Sequence, residues 1–92
     1  MIRREGESLV LEGPVTLETV PGLAQAADEH LRQGVRVIDF HGVTEVDSAA
    51  VALALEWLRS DGPQGAVRLQ GVPEAMLNLA KLYGVAELLQ RA

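Results

Sequence analysis

The sequence contains no cysteine. Disulfides and thiolate metal sites are therefore excluded, and the fold has to hold without cross-links. Aromatic residues are almost as scarce: Phe40, Trp57 and Tyr83 are the whole set. Basic residues are in the minority, eight Lys and Arg against thirteen Asp and Glu, for a net charge of −5. A chain with neither phosphate-neutralising charge nor stacking platforms is a poor nucleic-acid binder. It is equally ill suited to an anionic membrane surface. No apolar run approaches the roughly 20 residues needed to span a bilayer. Met1-Ile2-Arg3-Arg4-Glu5-Gly6 has the charges of a signal peptide but no apolar segment behind them, which predicts a cytoplasmic protein.

What is present is a globular composition, 48% apolar over 92 residues, which predicts one domain spanning residues 1–92. The core has to be built from Leu, Val, Ile and Ala. Glycine and proline punctuate the chain at short intervals. Glu5-Gly6-Glu7 reads as a turn between two short extended runs, 2–4 and 8–12, the second with Leu9 and Leu11 at half-buried strand spacing. Gly13-Pro14 is expected to break that strand. Leu17, Val20, Ala24, Ala27 and Leu31 then form a helical stripe, with Thr16 or Thr19 as N-cap and Gly34 as the stop. Pro21 places the start of the helix proper near Val20.

A strand over 35–40 follows, apolar on both faces, which calls for cover on both or a central place in the sheet. Residues 41–46 read as a connection. A second long helix spans about 48–60 and ends at Asp61-Gly62-Pro63. Residues 67–70 form a short strand with Val67 and Leu69 inward. A third helix starts at Pro73, carries the stripe Met76, Leu79, Ala80 and Tyr83, and stops at Gly84. Residues 85–90 allow a final helical turn. The order β-β-α-β-α-β-α implies an α/β domain with a mixed four-stranded sheet and three or four helices.

The segment that carries functional information runs from Val43 to Leu55, off the end of one strand and into a helix N-terminus. In open α/β sheets, binding sites concentrate there. Asp47 and Ser48 are both good caps for the first-turn N–H groups. Ser48 also presents a hydroxyl at the positive end of the helix dipole, where a phosphate would be stabilised. The helix beyond it is apolar almost all round. Val51, Ala54, Leu55 and Leu58 make the stripe expected to face the sheet, yet Ala49, Ala52 and Leu53 on other sides are apolar too. Alanine is a good helix former, which accounts for some of this. A second covered side, supplied by a partner protein, accounts for the rest.

Catalysis has little support. His30 sits in the charged stretch Asp28-Glu29-His30, and His41 follows the central strand. Two histidines on different elements make no zinc motif. A Ser48–His41 pair has no G-x-S-x-G elbow behind it, and both common phosphate-cradling motifs are missing. No enzyme, metal or cofactor is expected.

The run from Val35 to Ala49, VRVIDFHGVTEVDSA, resembles the core of the STAS domain family, in which a hydrophobic strand leads into a D-S-[SA]-G-L type helix start. Two subgroups share this pattern. Anti-sigma-factor antagonists carry a phosphorylatable serine that maps to Ser48. The second subgroup is the MlaB type, a small cytoplasmic subunit of a phospholipid-transporting ABC complex. VRLQGVP at 67–73 and LNLAKLYGV at 77–85 resemble the MlaB ending. One departure is that the family's Gly-Leu is Ala50-Val51 here, expected to narrow the approach to the helix start. The resemblance implies a binding module that docks on the transporter's ATPase, and through it on a permease, and supports outer-membrane lipid asymmetry. By carry-over the contact residues would be Glu45, Asp47, Ser48, Ala49, Ala52 and Leu53. The alternative it implies is an antagonist switched by phosphorylation of Ser48.

Overall fold

The computed structural model describes residues 1–59 and 65–91. Its elements run β1 (Ile2–Glu5), β2 (Ser8–Val15), α1 (Val20–Arg32), β3 (Val37–Val46), α2 (Ser48–Leu58), β4 (Arg68–Gln70), α3 (Glu74–Leu82) and α4 (Ala86–Arg91). The sheet order is β1-β2-β3-β4, with β1 antiparallel to β2 and the other two pairs parallel. This is the expected mixed four-stranded α/β sheet, with four helices. The expected helix stop at Asp61-Gly62-Pro63 lies outside the described residues.

The hairpin closes through Gly6-Glu7, with Glu5 opposite Ser8 and Gly6 at φ +59, as a two-residue loop requires. Leu9, Ile38 and Leu69 share one register row, and Val10, Asp39 and Gln70 the next. Side chains alternate along each strand, so the first row faces the helices and the second the open side. Leu9, Leu11, Ile38 and Phe40 are sealed in the core. Phe40 meets Trp57 of α2 edge-on, ring centroids 6.2 Å apart at 67°, which fixes α2 over the central strand.

Several expectations need correction. Gly13-Pro14 does not end β2, which continues to Val15. Residues 41–46 are strand, not connection: Glu12, Gly13, Pro14 and Val15 pair with Gly42, Val43, Glu45 and Val46. The two segments pair with each other, and pairing of this kind leaves no mark in either segment alone. Pro14 is tolerated because β1 pairs only with residues 8–11, so its missing N–H costs no ladder bond on that side. β3 begins at Val37, two residues later than expected, although Val35 is buried. Val10 is buried as well, so β2 is covered on both faces over its middle.

In α1 the buried residues are Leu23, Ala27 and Leu31. Leu17, expected on this stripe, precedes the helix and is 74% exposed. Thr19 is the N-cap residue, but its hydroxyl turns back to Thr16 and Pro14 and makes no cap bond. Gly34, at φ +100, closes the helix as expected. In α2 the buried set is Ala50, Val51, Leu53, Ala54 and Trp57. Leu55 and Leu58 are only half-buried, so the inward face is rotated from the expected stripe. In α3 Met76 and Ala80 are buried and Leu79 half-buried, but Tyr83 is 57% exposed.

Gly42 lies where the two extended strands press together. A Cβ there would stand 2.9 Å from the Leu11 carbonyl oxygen, which is backbone and cannot swing aside. Gly42→Ala is therefore expected to destabilise the domain by about 1–3 kcal/mol, the cost of overpacking. Urea unfolding followed by the fluorescence of Trp57 measures it. An unchanged midpoint would show that the strands separate freely at this point.

Candidate functional site

The site is built around Asp47. Leaving β3, the chain is extended at Asp47 (φ −137°, ψ −169°), and α2 begins at the next residue. The Asp47 Oδ1 accepts the Ala49 N–H at 2.8 Å, the N-cap bond expected from the sequence. Its Oδ2 accepts the Leu17 N–H at 2.9 Å, thirty residues away in the chain. One carboxylate thus ties the β2–α1 connection to the start of α2. That connection is itself stiffened by Thr19, whose Oγ1 accepts the Thr16 N–H at 2.9 Å and donates to the Pro14 carbonyl at 3.0 Å.

Two concavities are lined by the consecutive residues Asp47 and Ser48, one by each. On one side a cleft of about 370 Å3 lies between the β2–α1 connection and the end of β3, with Leu17, Glu18, Glu45 and Asp47 in its wall. On the other side a shallow groove of about 420 Å3 runs along α2, lined by Ser48, Val51, Ala52, Leu55, Tyr83 and Val85. The groove exists because α3 ends at Leu82 and the chain turns at Gly84, φ +73, leaving Tyr83 outside the core. Leu82 beside it is 80% exposed.

Glu45, Ser48 and Ala52 are exposed, and Asp47 and Ala49 half-buried. Leu53 is a correction: it is buried at 6% exposure and belongs to the core, so its side chain does not face a partner. Ala50 is a second correction. It is fully buried, and it does not narrow the approach to the helix start from outside. Leu17, Leu55, Tyr83 and Val85 were missed. The signal for Tyr83 was available, an aromatic residue directly before the helix-stopping Gly84. The others could be found only by folding the chain.

A separate polar cluster sits on the open face of the sheet. His41 donates its backbone N–H to Asp39 Oδ1 at 2.8 Å, and its Nδ1 lies 2.6 Å from the same oxygen. Gln70 reaches the other oxygen from β4. Partial burial pushes the Asp39 carboxyl upward, but the His41 backbone, the His41 ring and Gln70 outweigh it and leave the group below its ordinary range. The His41 ring lies over Gly71, where a Cβ would meet it at 2.5 Å.

His41 and Ser48 are not brought together. Five residue steps of strand separate His41 from Val46, about 16 Å at ~3.3 Å per residue. Among the described residues no three His, Asp or Glu side chains are placed to hold a metal ion. A larger hollow of about 630 Å3 lies between Leu55, Leu58, Val67 and Leu88, with Arg59 and Arg68 also in its lining; among the described residues that line it there is no carboxylate, hydroxyl or imidazole. No described helix is long and apolar enough to cross a membrane.

The profile of the family described as "Mlab, STAS domain" matches residues 1–90. A chain of the Acinetobacter MlaFEDB complex, solved in an ATP-bound conformation (Vtrans1), superposes with a TM-score of 0.74. It is 21% identical, over 90% of this chain and 90% of that one. At this identity the likeness speaks for the fold. No curated protein matches the sequence. The chain belongs to the MlaB-type STAS domain family.

Asp47→Ala removes both the cap and the tether to Leu17, and is expected to cost about 1–3 kcal/mol. Urea titration checks it, and a loss below about 0.5 kcal/mol would mean the two bonds do not hold these segments. Asp39 gives a pH signature. Its folded pKa lies below the unfolded value of ~3.9, so its stabilisation is complete above that value and is lost as pH falls through the folded pKa. Asp39→Asn should therefore flatten the acid limb of a stability–pH curve. Parallel acid limbs in the two proteins would contradict this.

Proposed function

Starting from that family membership, we propose that the chain, acting as one domain over residues 1–92, is a non-catalytic subunit of a phospholipid-transporting ABC complex of the Mla type. It docks on the complex's ATPase and through it reaches the permease. The observation that carries this reading is the apolar groove along α2, lined by Ser48, Val51, Ala52, Leu55, Tyr83 and Val85 and open to solvent. Ser48, Ala52 and Tyr83 would form its contact face, with Glu45, Asp47 and Ala49 at the edge. Small side chains at 48, 49 and 52 let a partner backbone approach closely. Tyr83 supplies the aromatic anchor common at interface centres. The likeness to a chain of the MlaFEDB complex supports the choice of machine.

The chemistry in such a complex belongs to the ATPase. Binding of this subunit contributes by its differential affinity for the ATPase's arrangements, favouring those it fits best. Placement follows from the partner: cytoplasmic, at the inner membrane, with a role in the lipid asymmetry of the outer membrane. Exposure of Ser48 supports a second reading, an anti-sigma-factor antagonist phosphorylated at that hydroxyl. Intact mass after incubation with cognate kinases separates the two, an added phosphate favouring the antagonist.

Co-expression with an Mla-type ABC ATPase from the same organism is expected to yield a stable complex. Ser48→Arg sets a long cationic side chain at the head of the groove and should weaken binding at least about 30-fold, a loss of about 2 kcal/mol or more, while the thermal midpoint of the isolated chain stays put. A folded Ser48→Arg variant that binds normally would take the groove out of the interface.

A further inference from the structure

The hollow between α2, β4 and α4 is the largest of the three concavities, and it is the one whose described lining carries cations. Its walls are apolar: Leu55 and Leu58 from α2, Val67 just before β4, and Leu88 from α4. Its volume of about 630 Å3 falls within the range of small-molecule pockets, about 300–1,000 Å3. Arg59 and Arg68 are exposed and belong to the lining, which puts them at the rim. No described lining residue is acidic, in a chain of net charge −5. The two arginines are not equivalent. Arg59 holds Glu56 at 3.3 Å. Arg3, Arg4, Arg32 and Arg36 likewise each have a hydrogen bond or ion pair, and Arg68 alone of the described arginine side chains has neither.

We propose that this hollow binds a single-chain amphiphile with an anionic head, its hydrocarbon tail against Leu55, Leu58, Val67 and Leu88 and its carboxylate or phosphate on Arg68 at the rim. An apolar hollow alone would take any hydrocarbon. A free guanidinium at its edge selects an anionic head, because it gives paired hydrogen bonds to carboxylate and phosphate oxygens. Leu88 is 42% exposed, and a bound tail would cover it. The site stands independently of docking on an ATPase, although Leu55 lines both the hollow and the groove. Arg68 also has a plain structural role open to it. β4 is an edge strand, and charge on an edge discourages strand pairing between copies. That role predicts self-association of an Arg68 variant and no preference among head groups, so the two roles give different readouts.

Calorimetric titration of the full chain, below the micelle-forming concentration of each probe, tests the site. Decanoate and dodecanoate vary the tail; dodecyl phosphate, dodecyl maltoside and dodecyltrimethylammonium vary the head. Saturable binding of dodecanoate, dodecyl phosphate or both is expected, tightening roughly two- to fourfold per added methylene, with the cationic probe weakest. Binding of one anion alone names the head: carboxylate for a free fatty acid, phosphate for a lipid headgroup. Arg68→Glu should weaken the anions roughly three- to tenfold and leave the maltoside unchanged. Leu88→Asp should weaken every probe, whereas Leu17→Asp, at an exposed leucine outside the hollow, should change nothing. Thermal midpoints of the variants serve as the folding control. Absence of saturable binding overturns the proposal, and so does equal affinity for anionic and cationic heads. A loss in Leu17→Asp as large as in Leu88→Asp marks adsorption to exposed leucines and overturns it too. Each of these outcomes leaves the docking reading where it was.

Discussion

The Asp47 carboxylate is the constraint on which the rest of the surface depends. Its two oxygens take N–H groups from chain segments thirty residues apart, Leu17 and Ala49. Both are charge-assisted bonds, stronger than their neutral counterparts. Ala49's N–H is one of the orphan donors of a helix start, and Leu17's belongs to a connection with no ladder to join. Satisfying both with one side chain fixes how the β2–α1 connection stands against α2. The acidic cleft and the apolar groove are lined by consecutive residues at that junction, so their relative placement is decided before any partner arrives. A surface organised in this way loses little conformational freedom on binding.

The small size of the domain explains why so little of α2 is left exposed. A chain of 92 residues has to recruit most of its apolar side chains into one core. Ala50, Val51, Leu53, Ala54 and Trp57 are all drawn inward, against a sheet face of Leu9, Leu11, Ile38 and Phe40. Only the narrow line through Ser48, Ala52 and Leu55 remains, and it becomes a groove because Tyr83 and Val85 build a second wall. The groove is thus shared between α2 and the end of α3. The alanines have divided duties: Ala50 and Ala54 allow close packing on the sheet, whereas Ala52 keeps the outer line shallow.

The element order, the mixed sheet and the Asp47 cap were legible in the sequence because each leaves a local mark: alternation, a 3.6-residue stripe, a capping side chain before an apolar run. Strand ends were not legible. The halves 12–15 and 42–46 pair with each other, and neither shows β spacing clear enough to outweigh Gly13-Pro14 or Gly42. The phase of α2 was hidden for the opposite reason. A helix apolar on nearly every side gives no contrast from which to read its inward face. The sequence therefore puts Leu53 outside, whereas it packs in the core, and Leu55 inside, where it is only half-buried against that core. Leu17 and Tyr83 continued helical stripes by spacing, but a turn at Thr16–Thr19 and a left-handed Gly84 end those helices before the stripe reaches them.

The same geometry bears on what a phosphate at Ser48 would do. At most helix starts a phosphate gains from free N–H donors and from the dipole. Here the Ala49 N–H is already taken by Asp47, and Ala50 N–H by the Asp47 carbonyl at 3.0 Å. The charged groups in the cleft lined by Asp47 are the carboxylates of Glu18, Glu45 and Asp47 itself. Adding about −1.5 to −2 charges to that setting creates repulsion with no cation among the described lining residues to offset it. A phosphate would therefore act against any partner that presents an apolar segment, and would suit only one bringing enough positive charge to match it. The modification and the docking of a predominantly apolar face thus oppose each other at one hydroxyl, which is why a single side chain separates the two functional readings.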